Sequence, residues 1–553
     1  MFKRIFKQQI NSITVAAILV ALSSLASRFL GVFRDHILAG QFGAGEYLDI
    51  YYASFRIPDL IYNLIVLGAL SAGFIPIFTS LIKNFAGDKK DEEEPANSNQ
   101  EPANQGAWNL ASNVLNFLFL GLSFLSILGI IFAPALTRLI TPGFSPEQQA
   151  ITASLTRIMF LSPVFLGISG ILGGVLQSFK RFLIYALAPV FYNLGIIVGA
   201  LFFVGIWGIA GLAWGVVLGA FLHMAIQLPT VFALGFRYKW GWRWHDLATA
   251  KIGWLMIPRT LSLAVSQINL VIVTIIASNL SSGSLAVFNF ANNLQSFPIG
   301  IFGVSFAIAA FPSLAAVAFD KERLNANFSQ TFRQILFFII PATVLIIALR
   351  AQIIRVVLGA GKFDWQDTIL TMDTLGFFAF SLFAQATIPL LVRVFYARHN
   401  STIPFYIGLI TVGVNTVLAW WLAPRLGVSG LALAYSIDNI LNFILLWVCL
   451  YFLVGISNLR QISFAVLKFI IGALAAGIAA QLTKILIWPL IDMARFSGVF
   501  IQLLAASSVG ILVYLVFCYL LGSEELFGFL EALKSRLSFK KVGLDDQGEA
   551  RGV

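Results

Sequence analysis

About fourteen stretches of mostly apolar residues follow one another along the chain, at 12–38, 47–83, 107–134, 148–176, 182–204, 209–235, 251–279, 284–318, 328–350, 367–396, 402–423, 428–454, 463–488 and 497–522. Each is long enough to cross a bilayer as a helix, which takes about 20 such residues. They lack the strict alternation of strands, and a membrane barrel would show segments of about ten residues, so the pattern predicts helix throughout. The expected fold is an all-α polytopic membrane protein.

The runs carry an internal repeat. At an offset of 238, AGQFGAGEYLDIYYA (Ala39 to Ala53) lies over ASNLSSGSLAVFNFA (Ala277 to Ala291), matching Gly45 with Gly283 and Ala53 with Ala291. At an offset of 219, GIAGLAWG (Gly208 to Gly215) lies over GVSGLALA (Gly427 to Ala434), and QSFKRF before Pro189 takes the place of YARHNS before Pro404. Six spans is an even number, so the two copies run the same way through the membrane as parallel repeats. Chance likeness among Gly- and Ala-rich helices is the alternative. The expected division is a six-helix bundle at 1–240, a second at 241–458, two extra helices at 459–522 and a tail at 523–553.

Charge then orients this scheme. Lys83, Lys89, Lys90, Lys180, Arg181, Arg237, Lys239, Arg243, Lys321, Arg323, Arg398 and Arg460 fall in alternate loops, with Lys534, Arg536, Lys540 and Lys541 in the tail. The positive-inside bias puts both termini in the cytoplasm, and the basic start MFKRIFK marks an uncleaved first span rather than a signal peptide. The low-complexity stretch 87–106 cannot bury a core and is expected to be a disordered cytoplasmic loop. Composition agrees on the solvent: 59% of residues are hydrophobic and 11% charged, with mean hydropathy +0.88, where a soluble protein carries about 25% charged residues. The net charge of +11 therefore reflects loop topology, and no nucleic-acid partner is expected. Cys449 and Cys518 lack partners at metal or redox spacing.

Against this apolar background the charges within spans stand out. Arg28, Arg34 and Asp35 lie in the first run, and Asp49, Arg56 and Asp59 in the second. An Arg or Asp at the bilayer centre costs roughly 2.5–3.5 kcal/mol on insertion scales, so such residues face a bundle interior or a watery path. Residues seven apart share a helical stripe, which aligns Arg28 with Asp35 and Asp49 with Arg56. Two readings follow: a cationic cavity, or buried bridges that fix helix packing. Arg259 and Arg393 reach the same cavity or snorkel to headgroups. Asp438, with Asn439 and Asn415, is a candidate site for a coupling Na⁺ or H⁺, or a hydrogen-bonded helix contact. No Ser-His-Asp set, H-x-x-E-H or P-loop is present and the four histidines are scattered, so no enzyme and no metal cofactor is expected.

SRFLGVFRD, GAGEYLDIYYASFRIPD, GALSAGFIPIF, AVSQINL, SFPIGIFGVSFAIAAFPSL and FYARHNSTIP, in this order, resemble the MurJ (MviN) lipid II flippases of the multidrug/oligosaccharidyl-lipid/polysaccharide exporter superfamily. The resemblance covers nearly the whole chain. It implies two six-helix bundles around a cationic cavity, two C-terminal helices forming a lipid-tail groove, and transfer of lipid-linked peptidoglycan precursor between leaflets of the bacterial cytoplasmic membrane by alternating access. By position it assigns Arg28, Arg34, Asp35, Asp49 and Arg56 to the cavity. The chain departs from the family where it has Tyr62, Asn63 and Leu67 in place of charged residues, and Asn293 in place of an Arg; Arg259 is the candidate to compensate. Export of another polyprenyl-linked glycan or of drugs, or a non-transporting scaffold, are the other functions compatible with these residues.

Overall fold

The structure, a computed structural model, describes residues 13–67, 73–87, 105–241, 246–455 and 458–538, and every regular element among them is helical. The helices are α1 (Ile13–Phe42), α2 (Glu46–Tyr62), α3 (Ile75–Gly87), α4 (Gln105–Ile140), α5 (Pro146–Met159), α6 (Ser162–Ser178), α7 (Phe182–Val198), α8 (Val204–Trp207), α9 (Ala210–Ala225), α10 (Leu228–Ala233), α11 (Leu247–Ser278), α12 (Ser284–Pro298), α13 (Ser305–Ala316), α14 (Lys321–Val357), α15 (Trp365–Ala379), α16 (Leu382–Ala397), α17 (Thr402–Leu426), α18 (Val428–Val454), α19 (Leu459–Ile487), α20 (Phe496–Leu520) and α21 (Glu524–Ser538). By length and apolarity, ten helical stretches among the described residues can cross a membrane, or eleven if α15 and α16, bent by 46°, make one crossing. The expected fourteen is thus not reached on that measure. At the other expected places stand α1, α11, and the pair α2 and α3, which flanks residues 68–72 outside the described set. Most of the loop expected at 87–106 also lies outside it, and the described part of the expected tail is the helix α21.

The two halves share several irregularities, which is stronger than a match of small residues, although the π turn at Gly199–Phe203 falls where the second half has the unbroken helix α17. Single π-helical turns interrupt the second and eighth spans at Asn63–Leu67 and Ile299–Val304. Each follows a proline, Pro58 or Pro298, whose missing N–H breaks the i→i−4 ladder. The break between α5 and α6 recurs between α15 and α16 at an offset of 220. Among the described residues the two non-glycine residues with left-handed backbone, Lys180 (φ 57°) and His399 (φ 58°), are 219 apart, as are Gly208 (φ 59°) and Gly427 (φ 61°). An L-residue adopts that conformation rarely, so a coincident pair at the repeat offset reflects shared architecture.

Packing divides the chain into two compact units, cut differently from the repeat boundaries. One comprises residues 1–294, 357–374 and 408–438; the other 295–356, 375–407 and 439–553. The first has a core around Phe74, Phe78, Leu110, Leu172 and Phe236, with Trp108 stacked on Phe179. Asn116 ties the 234–241 segment to α4, donating to Gly241 O at 2.8 Å and accepting from the Tyr238 hydroxyl. In the second unit α19 and α20 pack on α14: Phe337 meets Phe469 and Tyr514, and the Tyr514 hydroxyl donates to Phe337 O at 2.6 Å. Large apolar side chains such as Phe452 and Leu490, more than three-quarters exposed, face what must be lipid rather than water.

Candidate functional site

The charged cluster lies in the first unit. Asp35, 3% exposed, is bound on both oxygens. Arg34 donates to Oδ1 through Nη2 at 2.8 Å and Nε at 3.1 Å, and Asn293 Nδ2 donates to Oδ2 at 2.8 Å. The ion pair is therefore between sequence neighbours, not along the seven-residue stripe that pointed to Arg28. Neighbours on a helix diverge by about 100°, and only the length of the Arg side chain lets it fold back onto Asp35. Arg34 Nη1 also donates to Asn193 Oδ1 of α7 at 3.2 Å. Arg28 lies half-buried one and a half turns earlier on α1.

Arg56 is held differently. Nε donates to Thr274 Oγ1 at 2.8 Å and Nη2 to Asn289 Oδ1 at 2.9 Å, both neutral acceptors. Asp59 lies one turn on and is hydrogen-bonded by Asn63. The repeat counterpart of α2, residues 277–298, carries no formal charge, but Asn289 and Asn293 on it and Thr274 just before it make three hydrogen bonds to α1 and α2. The sequence marks Asn293 only as a departure from the family, and Thr274, Asn289 and Asn193 are the residues that sequence reasoning missed. The available signal was an amide or hydroxyl inside an apolar span, where such groups act as interhelical glue.

Asp49 takes a separate role. Its carboxylate, 4% exposed, accepts from Gly283 N at 2.6 Å and Ala286 N at 2.8 Å, satisfying amides that the first turn of α12 leaves without helical partners. The same end of this unit is stitched at three further points: Lys362 N to Gly40 O at 2.8 Å, Ala44 N to Asp367 Oδ2 at 2.9 Å, and His36 Nδ1 to Val357 O at 2.7 Å. Glycines make the approach possible. Gly283 (φ 89°) would place a Cβ 1.8 Å from Ala44 O, and Gly361 (φ 54°) one 2.1 Å from Gly40 O. Segments from both repeats are thus closed on one another where α1 ends and α12 begins.

Asp438, 6% exposed, is hydrogen-bonded by Thr411, and its Oδ1 has no partner. One turn from Thr411 on α17, buried Asn415 donates to Asn269 and leaves its own Oδ1 unpartnered. Asn439 falls in the other unit. The Arg259 side chain lies outside the described residues, as does that of Leu67. Arg393 donates to Pro389 O on its own helix. Tyr62 ends α2, and Asn63 opens the π turn.

A family model described as lipid II flippase MurJ matches residues 38–497. A probable lipid II flippase MurJ of Buchnera aphidicola (subsp. Acyrthosiphon pisum, strain APS) is 29% identical over 509 residues, 91% of this chain and 96% of that protein. The lipid II flippase MurJ of Burkholderia cenocepacia is 29% identical over 444 residues, covering 78% and 82%. Among solved structures, a lipid II flippase MurJ in an inward closed conformation superposes with a TM-score of 0.73 at 25% identity, covering 91% of this chain and 98% of the other. An inward-facing multidrug MATE transporter of the MOP superfamily shares the fold alone, at 0.63 and 16%. The repeated irregularities, the charged α1–α2 pair and these matches agree: the chain belongs to the lipid II flippase MurJ family.

Proposed function

We propose that this protein moves lipid II, a polyprenyl-linked peptidoglycan precursor, from the inner to the outer leaflet of the bacterial cytoplasmic membrane by alternating access. Both termini are cytoplasmic in this reading, which makes the closed end of the first unit the outer end. The diphosphate cannot cross hydrocarbon unaided, and guanidinium groups hold phosphate oxygens through paired donors. The observation that carries the reading is Arg56, a buried guanidinium whose hydrogen bonds go to neutral Thr274 and Asn289 and whose nearest carboxylate, Asp59, attracts it from one turn away. Arg28 and Arg34 add to it, with Arg259 as a further candidate; the polyprenyl tail stays in lipid along α19 and α20.

The test is complementation of cells depleted of their own flippase. Arg56→Ala is expected to abolish it with normal membrane insertion, and Arg56→Lys, which keeps charge without the planar fork, to restore it in part; full activity of Arg56→Ala would sink the assignment. Purified lipid II set against other polyprenyl-linked saccharides in a binding assay separates this substrate from those of related exporters. For coupling, the unpartnered oxygens of Asp438 and Asn415 suit a small hard cation such as Na⁺, which takes oxygen ligands, or a proton on Asp438. Translocation in vesicles should then depend on a Na⁺ or proton gradient and lose that dependence in Asp438→Asn. A response to membrane potential alone would remove Asp438 from this role.

A further inference from the structure

At the end of the bundle where α4 finishes and α5 begins, a cavity of about 400 Å³ is lined by Pro134, Arg138, Pro146, Gln149, Ala153 and Arg157. Pro134 and Arg138 are one turn apart on α4, and the others form one stripe of α5. No carboxylate lines it, and neither arginine forms an ion pair among the described residues.

The placement of Arg157 has a cause in the sequence. Pro134 has no N–H, so the carbonyl of Ile130, four residues earlier, loses its helical donor. Arg157 Nε supplies one at 3.3 Å. This anchors the guanidinium eleven residues in from Pro146, about 16 Å along the helix at 1.5 Å per residue, on an exposed face. Its terminal N–H groups remain to face the cavity. The surrounding α4 surface is apolar and exposed, with Ile127, Ile131, Phe132 and Leu139.

Helical side chains lean toward the N-terminus of their own helix. Because α4 and α5 run antiparallel, Arg138 leans into the membrane and Arg157 leans out of it, so two like charges converge on one cavity. Two like charges aimed at one cavity favour an anion between them. The anion present wherever this face meets lipid is a phosphodiester, and in an anionic phospholipid no headgroup cation offsets its charge.

We propose that the α4–α5 cavity binds the headgroup phosphate of an anionic phospholipid, clamped between Arg138 and Arg157. With the N-terminus inside, the lipid belongs to the outer leaflet. The site is separate from the α1–α2 cluster, and its occupancy does not depend on which cargo the protein carries.

The experiment is native mass spectrometry of the full-length protein in detergent, titrated separately with phosphatidylglycerol, phosphatidylcholine and undecaprenyl diphosphate. Wild type should bind one phosphatidylglycerol that the Arg138→Ala/Arg157→Ala variant loses, with affinity falling at least about tenfold, the scale of one charge-assisted hydrogen bond. Phosphatidylcholine binding should be weak and unchanged. Equal phosphatidylglycerol binding by wild type and the double variant overturns the proposal, as does an equal loss in Arg425→Ala, a basic residue on α17. Stronger loss for undecaprenyl diphosphate than for phosphatidylglycerol would assign the site to cargo instead, and also overturns it. Should the double variant fail to fold, photo-crosslinking of wild type with headgroup-diazirine phosphatidylglycerol decides. Adducts concentrated within residues 130–157 support the site, and adducts no denser there than elsewhere refute it.

Discussion

Removing the Asp49 carboxylate should open the end of the bundle that it helps to close. Its two acceptor bonds reach Gly283 N and Ala286 N at a place 4% exposed. In Asp49→Ala both amides are stranded only while that end is shut, because opening admits water to them. An unsatisfied buried group costs about 1–3 kcal/mol, and the lost charge at a helix N-terminus about 0.3–1 more, so the closed state weakens by about 3 kcal/mol. At 1.4 kcal/mol per tenfold this moves the equilibrium roughly 150-fold toward the open form. Asp49→Asn keeps one acceptor oxygen and turns an N–H toward the other amide, so about half the effect is expected. A cysteine at Ala53, one turn from Asp49 on α2 and fully buried, reports the change. With Cys449 and Cys518 replaced by Ala, its labelling by a membrane-impermeant thiol reagent on intact cells should speed up at least about tenfold in Asp49→Ala, with Asp49→Asn between. Unchanged labelling in Asp49→Ala, at equal membrane abundance, would refute the role of this cap in closure.

Gly283→Ala attacks the same closure sterically: a Cβ 1.8 Å from Ala44 O cannot be accommodated, so the variant should insert normally, label fast at Ala53→Cys and fail complementation. In the second unit Arg333 binds Glu525 at 2.6 Å and Glu524 at 2.9 Å and docks α21. Arg333→Ala leaves the Glu525 carboxylate, 6% exposed, without its cation, and limited proteolysis within 524–538 should accelerate about tenfold or more. The bond to Arg333 also holds the Glu524 carboxyl below its ordinary pKa. A depressed carboxylate stabilises docking above its unfolded pKa of about 4.3 and loses that contribution as pH falls, so proteolysis of α21 in wild type should quicken below about pH 4 but not between pH 6 and 8.

What the sequence disclosed was whatever depends on length and periodicity. Helix positions are legible because twenty apolar residues admit little else in lipid, and the runs 284–318 and 402–423 became Ser284–Ala316 and Thr402–Leu426. The repeat was visible through Gly208 and Gly427, whose identity is enforced by a left-handed backbone. Its firmer evidence was hidden: nothing in the letters of Lys180 and His399 announces φ near 57°. The packing units were hidden too, because contacts made at one end of a bundle join residues hundreds apart.

The charged cluster shows the same boundary at the level of single atoms. Helical angles put Arg28 and Asp35 on one stripe and left the direction of Arg34 open, yet Arg34 is the residue that reaches Asp35. Three of its N–H groups are engaged by Asp35 and Asn193, so of the five that a guanidinium carries, two remain for phosphate. Asp35 is paired to Arg34, Asp49 is engaged by backbone amides and Asp59 attracts Arg56 from one turn away, so the three arginines of this cluster stand against three aspartates. Asn293, at a position where the family resemblance leads to the expectation of an Arg, has a physical meaning: it satisfies the second oxygen of Asp35 without a further charge. A neutral hydrogen bond thus completes the shell of Asp35, and both of its oxygens are engaged before any ligand arrives.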